Sequence, residues 1–265
     1  MSIKKFLFNR GRILSKAVKS NELEVFLERF RDHYISVDLI RLGSENDGGY
    51  LVPNIINKIS HCFSPGVDFT ADFESHLSKS YGIKSFMADA SVSGPPTDDK
   101  NFSFIKKFIG NRTNKNFITL KDWIDTCLID DERELILQMD IEGGEYDVLT
   151  IESDSTLKKF SIMIIEFHAM NNIFDKVFLK TLTSIFEKIY RDFSICHVHP
   201  NNCSEVISYD GIDIPKIIEI TFIRNDYVNE LKTDNSITLP HKLDNRNVKG
   251  KNDIQMPNIW WNKKL

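Results

Sequence analysis

Four short apolar runs in this chain each end on an acid or a histidine. Phe86-Met87-Ala88 leads into Asp89, and Leu135-Ile136-Leu137-Gln138-Met139 leads into Asp140. Ser161-Ile162-Met163-Ile164-Ile165 leads into Glu166-Phe167-His168, and Phe193-Ser194-Ile195-Cys196-His197-Val198 into His199. Nearly continuous apolar runs of this length are the pattern of strands covered by helices on both sheet faces. Ligands of open α/β sheets bind just beyond the carboxyl ends of such strands. The polar residues therefore stand where a cofactor site is built.

Around these runs strands and helices alternate. A strand over 61–64 leads through Pro65-Gly66 into a helix over 68–80, and a second strand over 84–88 ends at Asp89. After the break at Ser93-Gly94-Pro95-Pro96 the pattern predicts a helix over 102–108, a strand over 116–119 and a helix over 120–128. Strand 135–140 passes through Gly143-Gly144 into a short helix, followed by strand 161–167, helix 173–189 and strand 193–199. Residues 217–223 read as a last strand, expected to run antiparallel because only a loop precedes it. Upstream, 39–42 and 50–52 read as short strands around Ser44-Glu45-Asn46-Asp47-Gly48-Gly49.

This alternation predicts an α/β fold: a Rossmann-like doubly wound, mostly parallel sheet with a final antiparallel strand. It divides the chain into an N-terminal helical extension over 1–36, a main domain over 37–224 and a C-terminal tail over 225–265. Trp260-Trp261 predict a tail packed on the domain, since exposed paired indoles are unusual.

Composition narrows the function classes. A net charge of −4 gives no electrostatic reason to expect nucleic acid. The cysteines Cys62, Cys127, Cys196 and Cys203 form no C-x-x-C pair, and no apolar run is long enough for an export signal or a membrane span. Reduced thiols and a cytoplasmic setting are expected. In the first twenty residues, Lys4, Lys5, Arg10, Arg12, Lys16 and Lys19 alternate with apolar residues. The plain reading is a solvated arm or a helix packed on the domain; the alternative is peripheral contact with an anionic membrane. Oligomeric state is not legible.

The strand ends carry the candidate chemistry. Ser64-Pro65-Gly66-Val67-Asp68 lies at the first strand-to-helix turn, where a glycine lets backbone approach a ligand and a helix start offers free N–H groups. It contains neither G-x-G-x-x-G nor a P-loop, and a plain tight turn reads equally well. Asp89 ends the second strand, the position from which an acid holds the ribose hydroxyls of a nucleoside cofactor. The alternative is a turn aspartate before Ser91. In Asp140-Ile141-Glu142-Gly143-Gly144-Glu145, three acids surround two glycines at a strand end, which packing does not explain. Glu145 and Asp147 also suit a helix N-terminal dipole, and Glu142 suits solvent.

That last string resembles the D-x-E-G-x-E signature of FkbM-type S-adenosylmethionine-dependent methyltransferases. The resemblance extends to Thr119-Leu120-Lys121-Asp122-Trp123, Ile165-Glu166-Phe167-His168 and His197-Val198-His199-Pro200-Asn201-Asn202. Leu42-Gly43, Asp47-Gly48-Gly49-Tyr50 and Glu219-Ile220-Thr221-Phe222 are similar to a related branch of methyltransferase-like domains, so it spans about residues 40 to 225. The chain departs from the family at Ser64-Pro65-Gly66-Val67-Asp68, which lacks the usual glycine-rich pattern, and at Lys121, where the family has an acid.

The resemblance implies S-adenosylmethionine as cofactor, bound by Ser64, Gly66, Asp68, Asp89 and Asp140. It implies an O-methyltransferase acting on a sugar or other hydroxylated small molecule, in surface-polysaccharide biosynthesis. Asp140, His168 and His199 are the catalytic candidates, with an imidazole as base. Glu142, Glu166, Asn201 and Asn202 are the substrate-side candidates. By analogy with metal-dependent O-methyltransferases, Asp140 holds the cofactor's methionine portion or joins Glu166 and His168 around a divalent cation. A Cys196/His197/His199/Cys203 zinc site is disfavoured, because Cys196 points away from both histidines by strand period. Two other functions fit less well. A non-catalytic binding or scaffold module has no need of the acids at 140–145, and a metal-dependent hydrolase lacks an H-E-x-x-H or comparable motif.

Overall fold

The apolar runs become strands of one seven-stranded sheet, three of them inside it and the run over 193–198 at its edge. The computed structural model describes residues 3–11, 15–67, 69–128, 134–233 and 238–262. The strands in chain order are β1 (Leu39–Gly43), β2 (Gly49–Pro53), β3 (His61–Pro65), β4 (Lys84–Ala88), β5 (Phe102–Ile105), β6 (Phe108–Ile109) and β7 (Phe117–Ile118). They continue with β8 (Leu135–Met139), β9 (Phe160–Phe167), β10 (Phe193–Pro200), β11 (Val206–Tyr209), β12 (Ile212–Pro215) and β13 (Ile218–Arg224). The α-helices are α1 (Ile3–Phe8), α2 (Ser20–Asp32), α3 (Asp72–Tyr81), α4 (Leu120–Cys127), α5 (Glu145–Ile151), α6 (Asp154–Leu157) and α7 (Lys176–Ile189).

The sheet order is β5-β4-β3-β8-β9-β13-β10. From β5 to β9 every pair is parallel, while β13 runs antiparallel to both β9 and β10. The fold is therefore the doubly wound α/β class with one reversed strand. Between β3 and β8 the winding changes direction, and such switch points open a crevice at the strands' carboxyl ends.

Strand alternation divides the core between the two faces. Leu135, Leu137 and Met139 of β8 join Met163, Ile165 and Phe167 of β9 in one cluster with residues of α4, α5 and α7. Ile136, Ile162 and Ile164 face the other way, against α3 and the β1–β2 hairpin. Helix α2 adds Leu23, Phe26, Leu27 and Phe30 to the first cluster. The tail closes over them, with Phe30 set edge-on to Trp260 at 5.1 Å and the Trp260 indole donating to the Asp213 carbonyl at 3.2 Å. Helix starts use short polar caps: Thr119 accepts from the Asp122 N–H, and Asp175 accepts from the Val177 and Phe178 N–H groups.

The predicted helix over 102–108 is instead the edge strand β5 and the start of β6. Phe102, Ile105 and Phe108 recur at helical spacing, but tertiary packing decides. Phe102 and Phe104, two apart, both lie against the Val67, Ala71 and Met87 cluster. The hairpin β11–β12 was not expected. It turns at Asp210-Gly211, both with positive φ (51° and 78°), the backbone that a two-residue hairpin loop requires. The helix expected over 68–80 begins at Asp72, and Asp68 lies outside the described residues. Among the described residues, no helix is long and apolar enough to cross a membrane.

Candidate active site

A cavity of about 640 Å³ opens at the carboxyl ends of β3, β4 and β8. Ser64, Gly66 and Val67 line it at the end of β3, Asp89 at the end of β4, and Asp140, Ile141 and Glu142 at the end of β8. Phe108, Ile109 and Phe117 supply an apolar wall, and Tyr50 and Gly48 of the hairpin close another side.

Gly66 is fixed by the strand ends. Its φ is +90°, and a Cβ there would lie 1.5 Å from the Asp140 carbonyl oxygen. The space a side chain would need is occupied by the Asp140 backbone, so this glycine lets the two strand ends touch while it still lines the cavity. Asp89 is oriented by Ser91, whose N–H and hydroxyl both donate to its Oδ1 at 2.7 Å. The turn reading of Asp89 is thus correct for one carboxylate oxygen, while the side chain still lines the cavity. Ser64 faces inward but is engaged in a buried network. Its Oγ meets Glu74 Oε1 and lies 2.7 Å from Gln138 Oε1, while the Gln138 amide donates to the Tyr50 hydroxyl at 3.0 Å. One hydroxyl proton cannot serve both acceptors. Burial raises the Glu74 pKa, the direction that favours the form able to donate.

Beyond β8, the loop bends through Glu142 (φ 54°) and Gly143 (φ 99°), and Glu145 turns back into the protein. Glu145 is fully buried. Its Oε2 accepts the Gly143 N–H at 2.9 Å and its Oε1 accepts the His168 N–H at 2.6 Å. It therefore does more than complement a helix dipole, because it ties the β8 loop to the end of β9. The Tyr146 hydroxyl donates to the His168 carbonyl at 2.5 Å. Held from both sides, the His168 ring puts Nδ1 3.6 Å from Glu145 Oε1. Its Nε2 lies 3.6 Å from Asp140 Oδ1, 3.4 Å from Glu142 Oε2 and 3.7 Å from Glu166 Oε1.

Across the sheet, Glu166 of β9, Glu219 of β13 and His199 of β10 occupy facing register positions, so they share one face. Asn201 donates to Glu166 Oε1 at 3.0 Å and Asn247 of the tail to Glu219 Oε1 at 2.6 Å. Burial, reinforced by nearby carboxylates, pushes Asp140 up to about 6 and holds Glu166 well above the ordinary glutamate value. Burial likewise raises Glu219 to about 7, against the opposing effect of His199. Burial alone would lower His168, but Glu145, Asp140 and Glu142 outweigh it and its pKa is raised.

Of Asp89, Asp140, His168 and His199, expected on one rim, two line the cavity and His168 stands beside it without lining it. Asp89 and Asp140 share the cavity and His168 contacts Asp140. His199 does not reach it. Its Nδ1 faces tail residue Asp244 at 3.7 Å, which also contacts His197 Nε2 at 3.0 Å. Asn202 is likewise turned to the tail, donating to the Val248 carbonyl at 3.0 Å and accepting the Val248 N–H at 2.8 Å. Cys196 contacts the Thr221 carbonyl and Cys203 is exposed, so neither joins the histidines.

Glu74, Gln138, Glu219 and the tail's Asp244 and Asn247 were not among the expected site residues. Glu219 carried a signal, an acid within the otherwise apolar run 218–223. The tail residues carried none.

The methyltransferase FkbM domain family matches residues 71–191, a span that contains Asp89, Asp140, Glu166 and His168 and stops before His199. Solved structures with a related chain path include the Methanococcus jannaschii fibrillarin pre-rRNA processing protein, with 10% identity, a TM-score of 0.39, and coverage of 71% of this chain and 82% of that one. The N-methyltransferase NodS from Bradyrhizobium japonicum WM9 has 8% identity and a TM-score of 0.33, covering 77% of this chain and 95% of its own. No curated protein matches the chain.

Proposed function

From the match of residues 71–191 to the methyltransferase FkbM domain family, we propose that this chain is an S-adenosylmethionine-dependent methyltransferase that methylates a hydroxyl oxygen of a sugar or similar polyhydroxylated small molecule. The observation that carries this reading is the cavity at the winding switch, with Asp89 at one strand end and Asp140 at another.

The cavity's donor set fits the cofactor. Asp89 Oδ1 is anchored by Ser91, and among the described residues Oδ2 has no protein partner, which leaves it for a ribose diol. Val67, Ile109 and Phe117 offer apolar surface for a purine. Asp140 Oδ1 is buried without a hydrogen-bond partner, as expected of a group awaiting a ligand. When bound, S-adenosylmethionine supplies an electrophilic methyl group, so little covalent chemistry is left to the protein.

The protein's work is then to position and to accept a proton. Asp140 and Glu142 line the side of the cavity where a hydroxyl acceptor would enter, and they orient it by accepting its O–H. Glu142, with 86% of its side chain exposed, passes the released proton to water. Surface-polysaccharide biosynthesis is the setting that this substrate class suggests.

Calorimetry with S-adenosylhomocysteine tests the cofactor half. Saturable binding is expected, with Asp89→Ala weakening it at least about tenfold, near 1.4 kcal/mol. A mass-spectrometric screen of sugars and polyols tests the acceptor half. Folded protein that binds no S-adenosylhomocysteine, or that methylates nitrogen and never oxygen, would overturn the reading.

A further inference from the structure

We propose that Asp140, Glu166 and His168 form a binding site for a hard divalent cation of the magnesium or manganese class, set against the cavity wall. This deepens the methyl-transfer reading, since the cation would stand beside the acceptor, but the site rests on its own geometry. One ligand atom from each of the three residues can be chosen so that all lie within 4.8 Å of one another. The approaches of His168 Nε2 to Asp140 Oδ1 and Glu166 Oε1, 3.6 and 3.7 Å, are too long for hydrogen bonds. An octahedral ion with bonds of about 2.1 Å has ligand edges of about 3.0 Å, so a bound ion would draw together atoms that now stand 3.6 and 3.7 Å apart and, for the remaining pair, at most 4.8 Å.

A second observation points to a missing ligand. Glu166 is only 4% exposed, and its Oε2 has no hydrogen-bond partner; Asp140 Oδ1 is buried and equally unsatisfied. Buried carboxylate oxygens are seldom left so, and a cation is the partner that satisfies several at once. Among the described residues, no lysine or arginine forms an ion pair with Asp140, Glu142, Glu145, Glu166 or Glu219.

The supporting residues fit the same reading. Asn201 donates to Glu166 Oε1, the oxygen that stands 3.7 Å from His168 Nε2, while Oε2 has no partner. Glu145 Oε1 stands 3.6 Å behind His168 Nδ1, and Nε2 is the ring nitrogen that faces Asp140 and Glu166. Two carboxylates and one imidazole, with no thiol in the group, favour manganese or magnesium over softer metals. Three protein ligands leave positions for water or acceptor oxygens.

The test uses the full-length protein, freed of metal by chelator, with Mn²⁺ followed by electron paramagnetic resonance. One saturable Mn²⁺ per chain is expected, displaced by excess Mg²⁺. Glu166→Gln and His168→Asn, each checked for folding by circular dichroism, are expected to weaken Mn²⁺ at least about tenfold. Glu205→Gln, which alters an exposed ion pair with Lys216, should leave binding unchanged. If either site variant does not fold, Asp140→Asn takes its place. Absence of saturable Mn²⁺ binding, or binding indifferent to the folded site variants, overturns the proposal. S-adenosylhomocysteine calorimetry on the same samples separates the two readings. Cofactor binding without Mn²⁺ binding removes the cation site alone, and the converse removes the methyl-transfer reading alone.

Discussion

Replacing Gly66 by alanine probes the contact on which the cavity's geometry depends. The backbone at Gly66 has φ +90°, and the added Cβ would lie 1.5 Å from the Asp140 oxygen and 2.6 Å from its carbonyl carbon. Left-handed backbone costs an L residue about 1–2 kcal/mol. Forcing two packed strand ends apart adds about 1–3 kcal/mol, giving about 2–5 kcal/mol in all. Gly82 separates the two contributions, because it has φ +69° and nothing within 4 Å of its added Cβ. Gly82→Ala should therefore cost only about 1–2 kcal/mol. For a chain of this size each kcal/mol lowers the melting midpoint by about 2–4 °C. Thermal melts of both variants, with S-adenosylhomocysteine calorimetry, make the comparison. Gly66→Ala should melt below Gly82→Ala and lose cofactor affinity, since the Asp140 N–H bond to the Pro65 carbonyl cannot survive the displacement. A Gly66→Ala protein as stable as Gly82→Ala, with unaltered affinity, would refute the reasoning.

Tail docking should depend on pH through His199 and Asp244. Burial would lower the His199 pKa, but Asp244 and Glu219 outweigh it and push it up to about 9, so its contribution is complete below the ordinary 6.5 and is lost as pH rises through about 9. For Asp244, burial is overruled by the two imidazoles and its pKa falls below the ordinary 3.8, so its contribution is complete above that value and disappears in acid. Hydrogen exchange over residues 239–262, corrected for intrinsic rates, should show protection that declines between pH 6.5 and about 9; a flat profile would contradict this. Phe30→Ala removes a fully buried ring that contacts Trp260 and Phe186. It should cost about 3–5 kcal/mol in a denaturant melt and red-shift tryptophan emission, and a loss below about 1 kcal/mol would show that α2 is held some other way.

The sheet was legible because its middle strands are buried on both faces, which leaves continuous apolar runs such as 135–139 and 161–165. At the edge that signal fades. All four residues of β5 are half-buried, and Phe102, Ile105 and Phe108 mimic a helical stripe. The Asp210-Gly211 turn was readable from its residue types, since only such pairs accept two successive positive φ values. Within the site, Asp89 and Asp140 were found because each directly ends an apolar run. His199 was grouped with them on the same logic and Asn202 through the family resemblance, yet what they face comes from residues 244–252, a stretch without periodicity or motif. Contacts made by an irregular tail are fixed by three-dimensional complementarity, and neighbouring residues in the chain do not record it.

The placement of β13 between β9 and β10 has a consequence for biosynthesis. A ribosome delivers β9 and β10 before the strand that joins them, so a nascent chain halted before residue 218 carries two unbridged edges. One is β9, eight residues buried throughout in the finished protein. An apolar edge of that length is a template for pairing with other chains. Fragments lacking β13 should aggregate or require chaperones, and the last stretch of translation decides whether the earlier strands become soluble.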